Sequence, residues 1–314
     1  MKLLVSRLAP DQLDELRALA PAHTILHCPT PEEVACELPE AEAFFGFITR
    51  DLIAAAPKLR WVQVPSAGVE TCPFELLAER GLTLTNAKGL YGPQLAEHAM
   101  AFVLAFNRNF HKLFARQREE VWESRANLAE HELAGETLLI VGLGGIGLDL
   151  AWRAHAWKLR VIAVSKHHKP RPDFVARLSG MERLHEFLGE ADYVVVCCAL
   201  TPETRKLFGA REFAAMKPGA YFVNVTRGGI VDTDALVAAL QQGQLAGAGL
   251  DVTDPEPLPP GHPLWRMDNV LLTPHTSGQS PHADARLFEL LKENVRRFLA
   301  AEPLLNQVDL RLAY

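Results

Sequence analysis

The sequence predicts an α/β fold class: two doubly wound parallel-sheet domains, one inserted into the other. Three observations carry this. Short β-rich runs alternate with helical stretches over residues 1–90, the alternation restarts near residue 137, and its second round uses runs that are nearly all apolar. Strands buried on both faces must read that way, and strand, helix and strand in repeated order implies parallel pairing through right-handed crossovers. A chain of 314 residues that is 48% hydrophobic is long enough to bury two such cores.

In the first unit KLLV reads as a strand, PDQLDELRAL as a helix, and TILHC, FFGFI, WVQV and LTLT as further strands, the last after the helical FELLAER. Next, PQLAEHAMAFVLAFNRNFHKLFARQREEV reads as one long helix, apolar enough to pack on more than one surface. It is expected to link the domains and to help build a homodimer. The second unit opens with TLLIVG, then a helix from Ile146 to about Trp157, RVIAVS, YVVVCC, AYFVNV, a helix from Thr233 to about Gln242, AGAGLDV and NVLLT. The closing DARLFELLKENVRRFLAAEPL is an amphipathic helix whose place returns the chain to the first domain. The expected boundaries are therefore 1–90 completed by 284–314, with 91–283 inserted, and ligands are expected where the two sheets meet.

A formal net charge of −6 leaves no basic footprint for nucleic acid or for an anionic membrane. Apolar runs such as 138–141 and 194–198 fall far short of the roughly 20 residues that a membrane span needs. The N-terminus reaches Asp11, Asp14 and Glu15 too soon for a secretory leader, so a cytoplasmic enzyme is expected. Five cysteines, at 28, 36, 72, 197 and 198, show neither a C-x-x-C pair nor histidines at metal-ligand spacing. They read as structural thiols, with Cys197 and Cys198 buried at a strand end, and no metal is expected.

Directly after TLLIV stands GLGGIG, with Gly142, Gly144 and Gly147 at the G-x-G-x-x-G positions and a helix following. A glycine-rich turn arises by chance often, but one bracketed by strand and helix is a dinucleotide fingerprint. Gly142 permits the tight turn, Gly144 lets backbone approach a pyrophosphate, and Gly147 lets helix and strand pack closely. Gly145 and Ile146 then open the helix whose N–H groups and dipole face the phosphates. In an NAD site the second strand ends in an acid that accepts the ribose 2′-hydroxyl hydrogen bond, whereas RVIAVSKHHKPR offers Ser165. No carboxylate stands there to repel a 2′-phosphate, and Lys166, His167, His168, Lys169 and Arg171 would attract one. NADP(H) is the expected cofactor, with NAD(H) as the option if that loop is only a solvated surface.

Three later segments each set a reactive residue at or just beyond a strand end. YFVNVTRGGIVD places Thr226 and Arg227 before two glycines, where a planar guanidinium can grip a carboxylate bidentately. LDVTDPEPL carries Asp251 and Glu256, and NVLLTPHTSG presents His275. A carboxylate beside an imidazole fixes the ring and makes it a proton donor for a ketone oxygen. Singly, each residue reads as an ordinary surface ion pair or loop contact. Together, downstream of a dinucleotide fingerprint in one sheet, they read as a catalytic set.

In GLGGIG, ALTPET, NVTRGGIVD, LDVTDPEPL and TPHTSG the sequence resembles the D-isomer-specific 2-hydroxyacid dehydrogenase family. The resemblance spans nearly the whole chain. It implies a Rossmann cofactor domain inserted in a flavodoxin-like substrate domain, and a catalytic triad of Arg227, Glu256 and His275. It also implies that Asp251 lies by the nicotinamide carboxamide and that the backbone around Ala67 and Gly68, in PSAGVE, holds the substrate carboxylate. Ser165 departs from the acid of many members, which makes the chain similar to the NADPH-linked glyoxylate and hydroxypyruvate reductases and implies a small 2-keto acid as substrate. Tyr91, Phe45, Phe47 and Trp265 are candidates for closing the pocket. A competing class is a dinucleotide-sensing binding protein of the corepressor type, which would need neither carboxylate clamp nor proton donor. Formate or phosphite oxidation on a related scaffold is a third.

Overall fold

The computed structural model describes residues 1–128, 131–166 and 170–311. By its internal contacts the chain forms two compact units, Met1–Tyr91 with Ser280–Tyr314, and Gly92–Gln279. The first begins β1 (Lys2–Val5), α1 (Pro10–Leu19), β2 (Thr24–His27), α2 (Pro31–Glu37), β3 (Ala43–Phe45), α3 (Arg50–Ala54), β4 (Trp61–Gln63), α4 (Phe74–Glu79) and β5 (Thr83–Thr85). Its five strands lie in the order β2-β1-β3-β4-β5, all parallel. Because strand side chains alternate, Leu4, Phe44, Val62 and Leu84 build one core while Leu3, Val5, Phe45 and Trp61 build another on the opposite face.

The second unit contains α5 (Gly92–Asn107), α6 (Phe110–Arg118), β6 (Thr137–Val141), α7 (Gly145–Ala156), β7 (Arg160–Val164), β8 (Arg177–Ser179), α8 (Leu184–Leu188) and β9 (Tyr193–Val196). There follow α9 (Ala210–Ala215), β10 (Ala220–Asn224), α10 (Thr233–Gln241), β11 (Leu245–Leu250) and β12 (Val270–Leu272). The strand order is β12-β11-β10-β9-β6-β7-β8, again all parallel. The winding reverses between β6 and β9, and a crevice opens at such a switch point beyond the carboxyl ends of the strands. Two cores cover the two faces, one with Phe208, Phe213 and Phe222, the other with Phe102, Phe106 and Tyr193. The chain then returns to the first unit as α11 (Pro281–Leu299), whose Leu287, Leu291 and Val295 join Leu3 and Trp61.

The structure corrects several elements. The long helix is broken: α5 ends at Asn107, and Asn109 takes a left-handed φ of 58° before α6 starts. Asparagine tolerates that conformation better than most residues, and the break lets α5 stay buried while α6 turns an apolar face outward. YVVVCC stops as a strand at Val196, and the FFGFI run ends at Phe45. Phe45, read as a pocket candidate, is 1% exposed and belongs to the core. All five cysteines are free, with Cys36 exposed and Cys198 only partly buried. Among the described residues there is no cluster of groups suited to a metal ion, and no helix is long and apolar enough to cross a membrane.

Candidate active site

In a parallel sheet every strand ends on the same edge, so the residues that follow β6, β7, β10, β11 and β12 share the carboxyl edge of the second unit. Gly142 leaves β6 with a φ of 104°, and a Cβ on it would stand 2.6 Å from the backbone N of Cys198. Its backbone conformation and its packing both demand glycine. Gly144 differs. It precedes α7 with a φ of −87°, which any residue adopts, and a Cβ there would meet no protein atom within 4 Å. The protein itself does not require a glycine at 144; the open space in front of the first turn of α7, where the N–H groups of Gly145 and Ile146 have no partner among the described residues, fits a pyrophosphate.

Ser165, buried after β7, donates its backbone N–H to the carbonyl of Ser179 at 2.9 Å. Lys166 Nζ donates to Glu203 Oε2 at 2.6 Å, both side chains being exposed. Arg171 donates to the carbonyl of Val175. His167, His168 and Lys169 lie outside the described residues. Glu203 was missed in the sequence, although an acid in the ALTPET segment was visible; only the fold sets it beside the basic loop.

After β10, the buried Asn224 shapes the turn: its Oδ1 accepts from the N–H and Oγ1 of Thr226, and its Nδ2 donates to the carbonyl of Arg227. Arg227 is partly exposed in extended backbone, and its Nη1 donates to the Thr226 carbonyl at 2.8 Å. The next residue must be glycine, because a Cβ at 228 would lie 1.9 Å from the carbonyl oxygen of Thr253. That close approach packs the Arg227 turn directly against the loop carrying Glu256. The loop is tied in turn to the start of α10 by Thr233 Oγ1, which donates to the Asp254 carbonyl at 2.6 Å.

His275 follows β12 with a left-handed φ of 52°, its backbone N–H donating to the Asp251 carbonyl at 2.8 Å. Its Nδ1 lies 2.6 Å from Glu256 Oε1, and both side chains are 41% exposed. An ionised carboxylate only accepts, so Nδ1 carries the hydrogen and Nε2 is the nitrogen left for another partner. Asp251 itself is buried, its oxygens accepting from Thr273 Oγ1 and from the N–H groups of Thr276 and Ser277.

In the first unit, Ala67 and Gly68 sit in the loop after β4. Asn86 Nδ2 donates to the Ala67 carbonyl at 2.7 Å, and Ser66 Oγ donates to that of Gly68 at 2.6 Å. Among the described residues no acceptor pairs the backbone N–H of either. Of the other pocket candidates, Tyr91 donates its hydroxyl to the Pro65 carbonyl, Phe47 is exposed, and Trp265 is exposed with its indole N–H on the Pro259 carbonyl.

A glycine loop on a dinucleotide-type sheet, with an arginine and a glutamate–histidine pair on the same edge, is the arrangement of a nicotinamide-dependent oxidoreductase. Residues 100–277 match the family model described as D-isomer specific 2-hydroxyacid dehydrogenase, NAD binding domain. The chain is 34% identical over 290 residues to glyoxylate/hydroxypyruvate reductase B of Shigella boydii, covering 89% of this chain and 88% of that protein. It is 33% identical over 266 residues to D-3-phosphoglycerate dehydrogenase of Methanocaldococcus jannaschii, covering 84% of this chain but only 50% of that longer protein. Its fold superposes with a TM-score of 0.86 on an NADPH-dependent glyoxylate/hydroxypyruvate reductase of Sinorhizobium meliloti, solved with NADP and sulfate, at 27% identity and over 100% of this chain and 99% of that one. The chain belongs to the D-isomer-specific 2-hydroxyacid dehydrogenase family.

Proposed function

We propose that this protein reduces a small 2-keto acid of the glyoxylate or hydroxypyruvate type to the D-2-hydroxy acid, with NADPH as preferred reductant. The observation that carries the reading is the 2.6 Å bond between His275 Nδ1 and Glu256 Oε1 at the sheet edge that holds the glycine loop. Glu256 holds the ring in one orientation and one tautomer, and Nε2 gives a proton to the carbonyl oxygen. Arg227 pairs with the substrate carboxylate and polarises the carbonyl; in the first unit, the backbone N–H groups of Ala67 and Gly68 are the donors proposed for substrate. When bound, the reduced nicotinamide supplies the hydride to the carbonyl carbon.

The residues for the cofactor are Gly142, Gly144, Gly145, Ile146 and Gly147 at the pyrophosphate, and Thr226 and Asp251 toward the nicotinamide. Ser165, Lys166 and His167 serve the adenosine ribose, where a 2′-phosphate replaces Glu203 as the partner of Lys166. The enzyme acts as a homodimer: α6 exposes Phe110 and Phe114, whose rings lie 5.5 Å apart, and Trp122 beyond it is 98% exposed. Apolar surface of this kind suits a second copy of the chain.

The test is initial-rate absorbance at 340 nm with glyoxylate, hydroxypyruvate and 3-phosphohydroxypyruvate, each with NADPH and NADH. Higher kcat/KM for the first two with NADPH supports the proposal. A clear preference for the phosphorylated acid would favour a phosphoglycerate dehydrogenase, the reading suggested by the archaeal relative. NADH preference would reduce the basic loop to a surface feature, and no turnover on any 2-keto acid would favour a binding protein.

A further inference from the structure

One face of α5 runs through Gln94, His98 and Phe102, each four residues after the last and so stacked along the helix. All three touch the strand-end apparatus of the second unit. Phe102 packs on β11 where Gly249 leaves room, since a Cβ there would lie 2.6 Å from Phe102 Cγ. His98 stands edge-on to Phe102, with centroids 4.9 Å apart and planes at 82°, and its Nε2 lies 2.9 Å from Thr273 Oγ1. Gln94 Nε2 donates to the Gly278 carbonyl at 3.2 Å. The loop that carries His275 is thus held at both ends by one helix.

The hydrogen bonds within this group have one consistent direction. Asp251 Oδ1 accepts at 2.6 Å from Thr273 Oγ1 and at 2.9 Å from Thr276 N–H, while Oδ2 accepts at 3.0 Å from Ser277 N–H. A threonine hydroxyl has a single proton, which here goes to the carboxylate, so His98 Nε2 donates to Thr273 Oγ1. Asp251 is 1% exposed, and a buried carboxylate is tolerable only with its acceptor positions filled. Filling them fixes the backbone of 276 and 277, and the Asp251 carbonyl fixes the N–H of His275. Those bonds hold His275 in its left-handed φ of 52°, the conformation from which its ring meets Glu256.

We propose that His98 and Thr273 are positioning residues for the proton donor: His98 orients the Thr273 hydroxyl, that hydroxyl orients Asp251, and Asp251 clamps the 275–277 backbone that aims His275. Gln94 secures the far end of the same loop. This rests on the assignment of His275 as proton donor. Neither His98 nor Thr273 touches the reacting atoms, so their loss acts through the geometry of His275, where a misplacement of about 1 Å costs on the order of 100-fold in rate.

The test compares isosteric losses with conservative rescues. Thr273→Val and His98→Leu remove the hydrogen bonds at nearly constant volume; Thr273→Ser and His98→Gln keep a hydroxyl and an N–H donor. For the two losses we expect kcat on the best 2-keto acid to fall by roughly 10- to 100-fold, with dinucleotide Kd and substrate KM changed less than about threefold. For the two rescues we expect kcat within about threefold of the parent. Amide exchange of segment 273–279, read by mass spectrometry, should accelerate in the losses and stay near the parent in the rescues. If the parent turns over no 2-keto acid, the functional reading fails while the exchange data still decide the clamp. Wild-type kcat in Thr273→Val, equal damage from Thr273→Ser and Thr273→Val, or unchanged exchange in both losses would overturn the proposal.

Discussion

His275 combines an uncommon backbone conformation with a short side-chain contact, and the two explain each other. A non-glycine residue in left-handed backbone costs of order 1–3 kcal/mol and persists only where its surroundings over-determine it. Here the surroundings are the Asp251 bonds on one side and the 2.6 Å contact with Glu256 on the other. Glu256→Gln should therefore fold normally and bind dinucleotide, yet lose roughly 10- to 100-fold in kcat because the amide can turn either its oxygen or its NH2 toward the ring. Steady-state kinetics beside a cofactor titration checks this, and an unchanged kcat would make Glu256 a spectator. Gly144 gives a sharper case. Since the space before it is open, Gly144→Ala should leave the melting temperature of the free protein unchanged while abolishing most of the rise that saturating NADPH gives the parent; calorimetry with and without cofactor reads both. An equal rise in both proteins would mean that the glycine loop does not hold the pyrophosphate.

At this scale the residues proposed for catalysis stood out in the sequence because Arg227, Glu256 and His275 follow apolar runs near strand ends, where few other roles need a polar group. His98 and Gln94 were not. They are two polar residues within a mostly apolar helix, a pattern that equally describes a solvated stripe, and only the return of β12 beside α5 gives them partners. Phe45 shows the opposite error: it was an aromatic candidate for a pocket, and the pleat sends it into the core, while Phe47, beyond the strand end, is exposed.

The elements were read correctly where their periodicity was strong. Nearly every strand of the two sheets follows from an apolar run bounded by turn residues. Polar β8 was missed because its three residues, Arg177, Leu178 and Ser179, are too few to show an alternation; edge pairing with β7 makes it a strand. The break between α5 and α6 escaped because Asn109 costs little within a helical pattern, and its left-handed φ is a response to packing. Glycine pairs had a clearer meaning. Gly228→Ala would drive a Cβ into the Thr253 backbone, so the Arg227 turn and the Glu256 loop must separate. We expect a loss of about 1–3 kcal/mol in stability together with a fall in kcat, seen by denaturant melts and kinetics on the same preparation. Gly229→Ala, which meets only the flexible side-chain ends of Leu200 and Arg205, should be much milder. Equal effects at 228 and 229 would refute the packing argument.

For the whole molecule, the amphipathic pattern of 284–303 anticipated a helix that packs on a sheet, and α11 does so in the unit that begins at Met1. Its buried Leu287, Leu291 and Val295 complete the first core. Assembly is tested by mass: light scattering should give a dimer, and Phe114→Asp should shift the population toward monomer with the far-ultraviolet circular dichroism unchanged. A monomeric parent at micromolar concentration would remove the assembly proposal.

The most direct test of the central claim is the rate of NADPH-dependent hydroxypyruvate reduction by the parent and by His275→Ala, measured at 340 nm alongside NADPH affinity by fluorescence. The proposed chemistry predicts measurable turnover in the parent, a loss of about 10²- to 10⁴-fold in kcat for the variant, and an NADPH Kd that stays within about threefold. A variant that keeps near-parental kcat would contradict the role of His275 as proton donor.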